Sequence, residues 1–295
     1  MNTITKNIVL FPFNLLYKIS PEMDLKVLFR IKQGYPLNLK HPVTFNEKLQ
    51  WIKLHDHNPL MTKCCDKYLV RQFVKDQGCG EILNKLIWSG YDPEEIPFEI
   101  LPEKYVIKVT HGSTFNILVK DGKHADRRKI IKKCKKWLKA KFLPCYGEWF
   151  YGKEKPRIIV EEYLETDDGK DLKDYKVFCF NGEPAYVRVD SDRFQNHKSD
   201  IFDIEWRRIK NVHTRYPCSN DNITKPDCIK ELLTYAKKLS EPFLHQDAND
   251  SSRFPACCCS HCATRDCCSA FSHIPSLVRR QMASSRRRTH SCSTR

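Results

Sequence analysis

Long hydrophobic runs are absent from this sequence, and so is internal repetition. No stretch reaches the roughly 18 consecutive apolar residues that a membrane-spanning helix needs, which argues against a protein built on such helices. A basic segment followed by an apolar stretch and a small-residue cleavage site is also missing, so we expect no signal peptide. These absences favour a globular protein, which we expect in the cytoplasm.

The first twenty residues need a separate interpretation. The stretch from Asn7 to Ile19 is apolar, but Pro12 and Asn14 interrupt it and Lys18 lies near its end. We predict that this stretch is buried as the N-terminal segment of the fold. A peripheral contact of the segment with a membrane surface is the alternative.

The composition is that of a folded, basic protein. Apolar residues make up 41% of the 295 positions, which is enough for two modest domains or one large one. The net charge of +15 indicates an anionic partner, but we do not expect nucleic acid, because most basic residues are lysines spread along the chain. The one dense basic run, residues 127–141, has helical spacing with Ile130, Cys134 and Leu138 in an apolar stripe. This spacing predicts a solvated helix face, with a surface for phosphate or acidic glycan as the alternative.

Five residue types disappear near Leu244. The 52 residues from there on contain no Lys, Gly, Tyr, Trp or Glu, and they hold eight Arg and seven of the 15 Cys. A simultaneous switch of residue preferences is typical of translation in a shifted reading frame, which is our hypothesis for the tail. Zinc binding by Cys259, His261 and Cys262 with Cys267 is disfavoured, because the next residue is again Cys. The eight other cysteines are interpreted as reduced thiols.

Local patterns predict an α+β fold with an antiparallel sheet. Helices are expected at 25–31, from the capping box Thr44–Glu47 onward, from an N-cap at Thr62 to Gly78, and at 125–141 and 226–240. Strands are expected at 85–88, 105–110, 116–120, 157–164, 174–180, 185–190 and 201–206. The pair Asn181-Gly182 predicts a tight hairpin turn between two of these strands.

Two strands carry charged residues next to polar turns. Lys108 lies in an apolar strand just before the turn His111-Gly112-Ser113, and this arrangement suits phosphate binding, although a lysine at a sheet edge would look the same. The strand from Arg157 ends in Glu161-Glu162-Tyr163-Leu164. Such an end can present a carboxylate and main-chain groups to an adenine edge, or it is simply an exposed acidic strand end.

The hairpin around Asn181-Gly182 is the third charged segment. Its charged residues are Asp174, Lys176, Arg188, Asp190, Asp192 and Arg193. The period of two places Asp174 with Lys176 on one face, and Arg188 with Asp190. A sheet face with both signs predicts a wall over a polar ligand, with salt bridges across an exposed sheet as the alternative.

In chain order these motifs form a specific set. The set consists of 44–51 (TFNEKLQW), Asn58-Pro59-Leu60, Asp66-Lys67-Tyr68, Lys108, His111-Gly112-Ser113, 155–164 (KPRIIVEEYL), 174–182 (DYKVFCFNG), 190–194 (DSDRF) and His197-Lys198. It resembles the TupA-like branch of the ATP-grasp family, named for a teichuronopeptide-biosynthesis protein, over roughly residues 20–243. The resemblance implies an ATP-grasp-like fold with two subdomains, mixed or antiparallel sheets and flanking helices. The chain then divides into a helical segment 1–60, a nucleotide-binding core 61–243 that lacks the C-terminal part of the fold, and the tail 244–295.

The resemblance also implies which residues contact ATP between the subdomains. These would be Lys67 and Lys108 at the phosphates, His111, Gly112, Ser113 and Asn116 in the covering loop, Glu161 at the adenine amino group, Glu162, Tyr163 and Leu164 along the base, and Lys176. The substrate-side candidates are Arg188, Asp190, Asp192 and Arg193. Enzymes of the family phosphorylate a carboxylate with ATP and Mg²⁺, and an amine or other nucleophile then takes the acyl group. Here the acceptor would be a sugar- or polymer-linked group of bacterial surface polysaccharide.

Two departures from the family pattern change the expected activity. The loop at 111–116 has less glycine than usual, and Phe115 would stiffen it. The tail supplies no strand carboxylates for Mg²⁺, so we predict no metal site, weak ATP binding and background turnover. Two other functions stay open. One is a glycosyltransferase that holds a nucleotide sugar through Asp190-Ser191-Asp192, and the other is a non-enzymatic basic binding module.

Overall fold

The computed structural model describes residues 3–112, 114–165, 172–192, 196–209, 216–219 and 222–243. The helices in these ranges are α1 (Thr3–Ile19), α2 (Pro21–Gln33), α3 (Phe45–His55), α4 (Leu60–Cys65), α5 (Leu69–Asp76), α6 (Arg127–Leu138) and α7 (Ile229–Ser240). The strands are β1 (Leu86–Gly90), β2 (Tyr105–Val109), β3 (Asn116–Val119), β4 (Ile158–Glu162), β5 (Asp174–Phe180), β6 (Glu183–Ser191) and β7 (Lys198–Asp203). All strand pairs are antiparallel, which confirms the α+β class.

The first sheet has the strand order β1-β4-β2-β3. Because side chains alternate along a strand, Tyr105, Ile107 and Val109 of β2 point to one face and Val106 and Lys108 to the other. The first face forms a buried cluster with Ile158 and Val160 of β4 and with Ile130 and Cys134 of α6. The basic helix therefore covers the core through its apolar stripe and turns its lysines to solvent, as predicted.

The second sheet has the order β5-β6-β7. Its predicted hairpin turn is confirmed, since Asn181 and Gly182 both have positive φ angles, of 51° and 78°. One face of this sheet packs against α7, with a core formed by Tyr175, Val187, Val189, Phe202, Ile229 and Leu232. The opposite face carries the charged residues of the hairpin.

Helix α7 connects the two halves of the fold. Its residue Leu239 is buried in a cluster with Val70, Phe73 and Val74 of α5, while its other side covers the second sheet. The side-chain amide of Asn58 also donates to the carbonyl of Pro242 at 3.2 Å. The region around the end of α7 is thus shared between both halves.

The capping box at Thr44 is confirmed, but the expected cap at Thr62 is wrong. The Thr44 hydroxyl accepts from the amide of Glu47, and the Glu47 carboxylate accepts from the amide of Thr44 at 2.8 Å. Thr62 instead lies inside α4, which begins at Leu60 and ends at Cys65. A new helix starts at Leu69 because the carboxylate of Asp66 accepts the amides of Tyr68 and Leu69, at 2.8 and 3.0 Å.

The prediction of a buried N-terminal segment is also wrong. Helix α1 packs through Leu10, Phe13 and Tyr17, but much of its apolar surface is exposed, including Phe11. No helix in the described ranges is long and apolar enough to cross a membrane. The eight cysteines before the tail are free thiols, and seven of them are buried, as predicted.

Candidate functional site

The outward face of the first sheet, which is the face opposite α6, carries an ionic cluster whose side chains are largely buried. The Lys108 ammonium lies 2.6 Å from the carboxylate of Glu161, and Arg71 of α5 lies 3.0 Å from its other oxygen. The two strand residues meet because Lys108 pairs with Ile159 and Glu161 pairs with Val106, which makes them diagonal neighbours on one face. We refer to Arg71, Lys108 and Glu161 as the sheet cluster.

Lys67 lies beside this cluster in the break between α4 and α5. Its side chain is 4% exposed, and its ammonium donates to the carbonyls of Val109, Thr110 and Gly112. Burial, together with the charge of Lys108, lowers the pKa of Lys67 to about 7. All three ammonium donors are engaged, so Lys67 fixes the turn that follows β2.

That turn is held from its other side as well. The His111 ring contacts the carbonyl of Ala140 at 2.9 Å, and burial lowers the pKa of His111, so the ring is neutral at pH 7 and donates through Nε2. Phe115 stacks on Trp137 of α6 with 5.3 Å between ring centroids. A Cβ at position 112 would lie 2.1 Å from the Phe115 ring, so Gly112 leaves space for that ring. Ser113 lies outside the described residues, and Asn116 opens β3 opposite Lys108.

The end of β4 is fixed by a residue that the sequence did not single out. The side-chain amide of Asn84 donates to the carbonyl of Glu162 at 2.9 Å, and the carbonyl of Asn84 accepts from Arg71. Tyr163 and Leu164 follow directly and are half-buried. Arg71 was also missed, although it lies four residues after Lys67 within the helix predicted from Thr62 to Gly78, a spacing that would place the two residues on one face of that helix.

The hairpin face holds a second ionic cluster. The register pairs Lys176 with Arg188 and Asp174 with Asp190, so all four side chains share one face, as predicted. The Lys176 ammonium donates to Asp174 at 2.7 Å and also to Asp190, and Arg188 lies 3.3 Å from Asp190. We refer to these four residues as the hairpin cluster.

The charges of the hairpin cluster neutralise one another. Burial alone would raise the pKa of Asp190, but the cations of Lys176 and Arg188 lower it to about 2. His197 lies 3.5 Å from the other oxygen of Asp190. These contacts weigh against a metal held by Asp190-Ser191-Asp192, because Asp190 is already engaged by cations. Arg193 lies outside the described residues, and Asp192 has a left-handed backbone with φ of 49°.

No group of three or more His, Cys, Asp or Glu side chains that could hold a metal ion occurs in the part of the chain that the structure describes. Near the sheet cluster, Glu161 already contacts two cations. In the hairpin cluster, both carboxylates contact Lys176. The carboxylates in the described ranges therefore do not fit a Mg²⁺ ion.

Comparison with known proteins gives one clear match. The family model described as TupA-like ATPgrasp matches residues 47–253, well over half of the chain, and none of the curated proteins compared with it matches. The match begins inside α3, includes both ionic clusters, and extends past Leu244 into the tail. Helices α1 and α2 precede it. The chain therefore belongs to the TupA-like ATP-grasp family.

Proposed function

We propose that this chain binds ATP on the outward face of the first sheet and is built as a ligase-like protein of bacterial surface-polysaccharide synthesis. Such a ligase activates a carboxylate with ATP for transfer to an amine or a sugar-linked acceptor. Family membership supports the ATP-grasp ligase-like part of this proposal. The polysaccharide acceptor follows from the resemblance to a teichuronopeptide-biosynthesis protein.

The observation that carries the proposal is the Lys108–Glu161 pair. Adenine presents an acceptor, N7, next to a donor, the N6 amino group, along one edge. Lys108 supplies a donor and Glu161 an acceptor 2.6 Å apart, which is the complementary arrangement. Guanine has an acceptor, O6, in place of the amino group, and Glu161 would repel it. The pair therefore favours adenine over guanine.

The same sheet face offers an apolar surface for the base. Val106 pairs with Glu161 on one side and with Leu118 of β3 on the other, so these three side chains share the face of Lys108. Leu118 is exposed there, although it is a large apolar residue in a strand. An aromatic ring lying on Leu118, beside the already buried Val106, would remove the apolar area of Leu118 from water.

The turn after β2 suits the phosphates. Lys67 attracts the carbonyls of Val109, Thr110 and Gly112 to one side. Because the N–H and C=O of a peptide unit point in opposite directions, the amide of His111 is directed away from Lys67, where it can meet a phosphate oxygen, while the amide of Thr110 donates to the carbonyl of Arg157 at 2.9 Å. In this proposal Lys67 positions the turn, and Lys108, which the resemblance places at the phosphates, serves the adenine edge beside Glu161 instead. A direct contact of Lys67 with phosphate would require it to release a carbonyl.

The hairpin cluster is the proposed substrate side. The Arg188 side chain is the most exposed of the four, and a guanidinium can bind a second carboxylate in a bidentate manner. Asp192 and Arg193 follow β6 directly in the chain. We infer that they contact the carboxylate substrate or its acceptor together with Arg188.

We further infer that catalysis is weak in this chain. Mg²⁺ normally neutralises the phosphate charge during phosphoryl transfer, and the described residues do not fit that ion. Nucleotide binding through Lys108, Glu161 and the turn does not depend on the missing carboxylates. Weak binding of ATP is therefore expected to persist where turnover falls to background.

Thermal shifts test the proposed nucleotide site. We expect ATP to raise Tm, and GTP and UDP-glucose to raise it much less. In Glu161→Gln the amide can donate to guanine O6, so the difference between ATP and GTP should shrink; Glu99→Gln, whose exposed side chain pairs with Arg127 of α6, is the control. A shift with UDP-glucose and none with ATP would instead support the glycosyltransferase. Equal shifts with ATP and GTP in the unmodified chain would contradict the adenine assignment.

A further inference from the structure

The hairpin formed by α1 and α2 concentrates the exposed apolar residues of the molecule. Eight large apolar side chains are exposed on it: Ile8, Val9, Phe11, Leu15, Ile19, Met23, Val27 and Ile31. The rest of the described chain has eight further exposed large apolar side chains, although it is several times longer than the hairpin. Phe11 is 67% and Ile19 76% exposed, so these side chains are almost fully in water. Such a concentration marks an interaction surface.

These residues form stripes at helical spacing. Ile8, Phe11, Leu15 and Ile19 are three or four residues apart, and Met23, Val27 and Ile31 are four apart, so each set follows one face of its helix. The opposite faces are already packed, because Leu10 of α1 and Leu28 of α2 share one buried cluster with Cys145. The fold of the single chain thus leaves the stripes without a covering element among the described residues.

Basic residues surround the stripes. Lys18 and Arg30 are exposed beside the stripes on the same two helices. Of the two acidic residues in α2, Glu22 is paired with Lys26 at 2.5 Å and Asp24 is fully buried. The net charge displayed around the apolar stripes is therefore positive.

From this combination we infer that the α1–α2 hairpin lies on the surface of an anionic lipid bilayer. Amphipathic helices with an apolar face and flanking Lys or Arg bind in the plane of such a surface, inserting the apolar side chains between headgroups. A second copy of the chain fits less well, because a symmetric contact through this face would bring like charges together. The Arg-rich tail has the same sign of charge and fits less well for the same reason.

This inference is independent of the nucleotide site, since the family match begins at residue 47, after both helices. The inference assigns a lipid partner to α1 and α2, and nucleotide binding by the rest of the chain does not require this partner. A protein that acts on sugar- or polymer-linked acceptors would gain from being held at the membrane where lipid-linked acceptors are located.

Vesicle flotation with the full chain tests the inference. We expect binding to phosphatidylcholine vesicles that contain about a third of phosphatidylglycerol, weaker binding to pure phosphatidylcholine, and a decrease with added salt. Phe11→Ser/Leu15→Ser should weaken binding to the anionic vesicles by at least about tenfold, because two large apolar side chains no longer insert. Both residues are exposed, so the fold should tolerate the change.

Two matched controls locate the effect. Val43→Ser/Ile100→Ser removes equally exposed apolar side chains elsewhere, and Lys132→Glu/Lys136→Glu reverses charges on α6. Both should bind like the unmodified chain, whereas Lys18→Glu/Arg30→Glu should bind less. The tail is present in every variant, so its own attraction to lipid cancels. Unchanged binding of Phe11→Ser/Leu15→Ser would overturn the inference, and so would light scattering that shows a dimer dissociated by the same substitutions.

Discussion

Asp24 is a buried carboxylate without a hydrogen-bond partner. It lies in α2 with no exposed surface, and neither of its oxygens accepts a hydrogen bond. Burial raises its pKa to about 6, and together with burial its charge raises the pKa of Tyr17 in α1. A carboxylate in this environment favours the protonated form, because ionisation would leave a charge without compensation.

The stability of the protein should therefore depend on Asp24 between about pH 4 and 6. The folded-state pKa is raised, so the stabilisation by the bound proton is complete below the unfolded pKa of about 4 and is lost as the pH rises through about 6. Asp24→Asn cannot ionise and should be more stable than the unmodified chain at pH 7.5, by roughly 1–3 kcal/mol. At pH 4.5 the difference should largely disappear.

Thermal unfolding of both proteins from pH 4.5 to 8 measures this effect. Glu22→Gln serves as the control, because Glu22 is exposed and forms its ion pair with Lys26, one turn away in the same helix. The Tm of Glu22→Gln should change with pH in the same way as the Tm of the unmodified chain. If Tm changed with pH in parallel for Asp24→Asn and the unmodified chain, Asp24 would not be the source of this pH dependence.

At the level of the elements, the break between α4 and α5 and the turn after β2 act together. Asp66 ends one helix and starts the next, and Lys67 then reaches three carbonyls of the turn. Lys67→Met keeps the length of the side chain but leaves these carbonyls without their buried donor. We expect a loss of roughly 2–4 kcal/mol in unfolding free energy and faster hydrogen exchange in residues 110–117.

Lys108→Met is the matched substitution for this experiment. Lys108 donates to the carboxylate of Glu161 at 2.6 Å and not to the carbonyls that Lys67 holds, so exchange in the turn should stay close to that of the unmodified chain. Equal exchange in both variants would show that Lys67 does not hold the turn.

The strands could be predicted from the sequence because their signals are local. Alternation identified β2, a run of β-branched and apolar residues identified β4, and the Asn-Gly pair identified the hairpin turn. The break at Asp66 was not predicted, because the apolar periodicity continues from α4 into α5 and the contact between Lys67 and Thr110 is long-range. Arg71 and Asn84 were missed for the same reason, since their partners lie some 80 to 90 residues away. The exposure of α1 was missed because an apolar helix gives the same pattern whether it is covered or not.

At the scale of the whole molecule, the tail decides whether the fold is complete. We predict that another reading frame of the gene beyond about codon 244 encodes strands carrying an Asp and a Glu. The chain restored in this way should show Mg²⁺-dependent ATP turnover at least about a hundredfold above the present one, because the metal would again neutralise phosphate charge. Sequencing of the DNA and an ATPase assay with and without Mg²⁺ check the two parts. If no frame restores a strand pattern, or if the present chain already turns over ATP with Mg²⁺, the frameshift account fails.

The position of α7 determines how much damage an altered C-terminus can do. This helix closes the core beneath β5, β6 and β7 and also buries Leu239 against α5. A frame change before Ile229 would open both interiors at once, whereas a change after Phe243 spares them, because Phe243 still packs against Phe73 of α5. Helix α7 therefore stabilises both halves of the fold. A frame change beyond it removes the carboxylates expected to bind Mg²⁺ but leaves a chain that still folds.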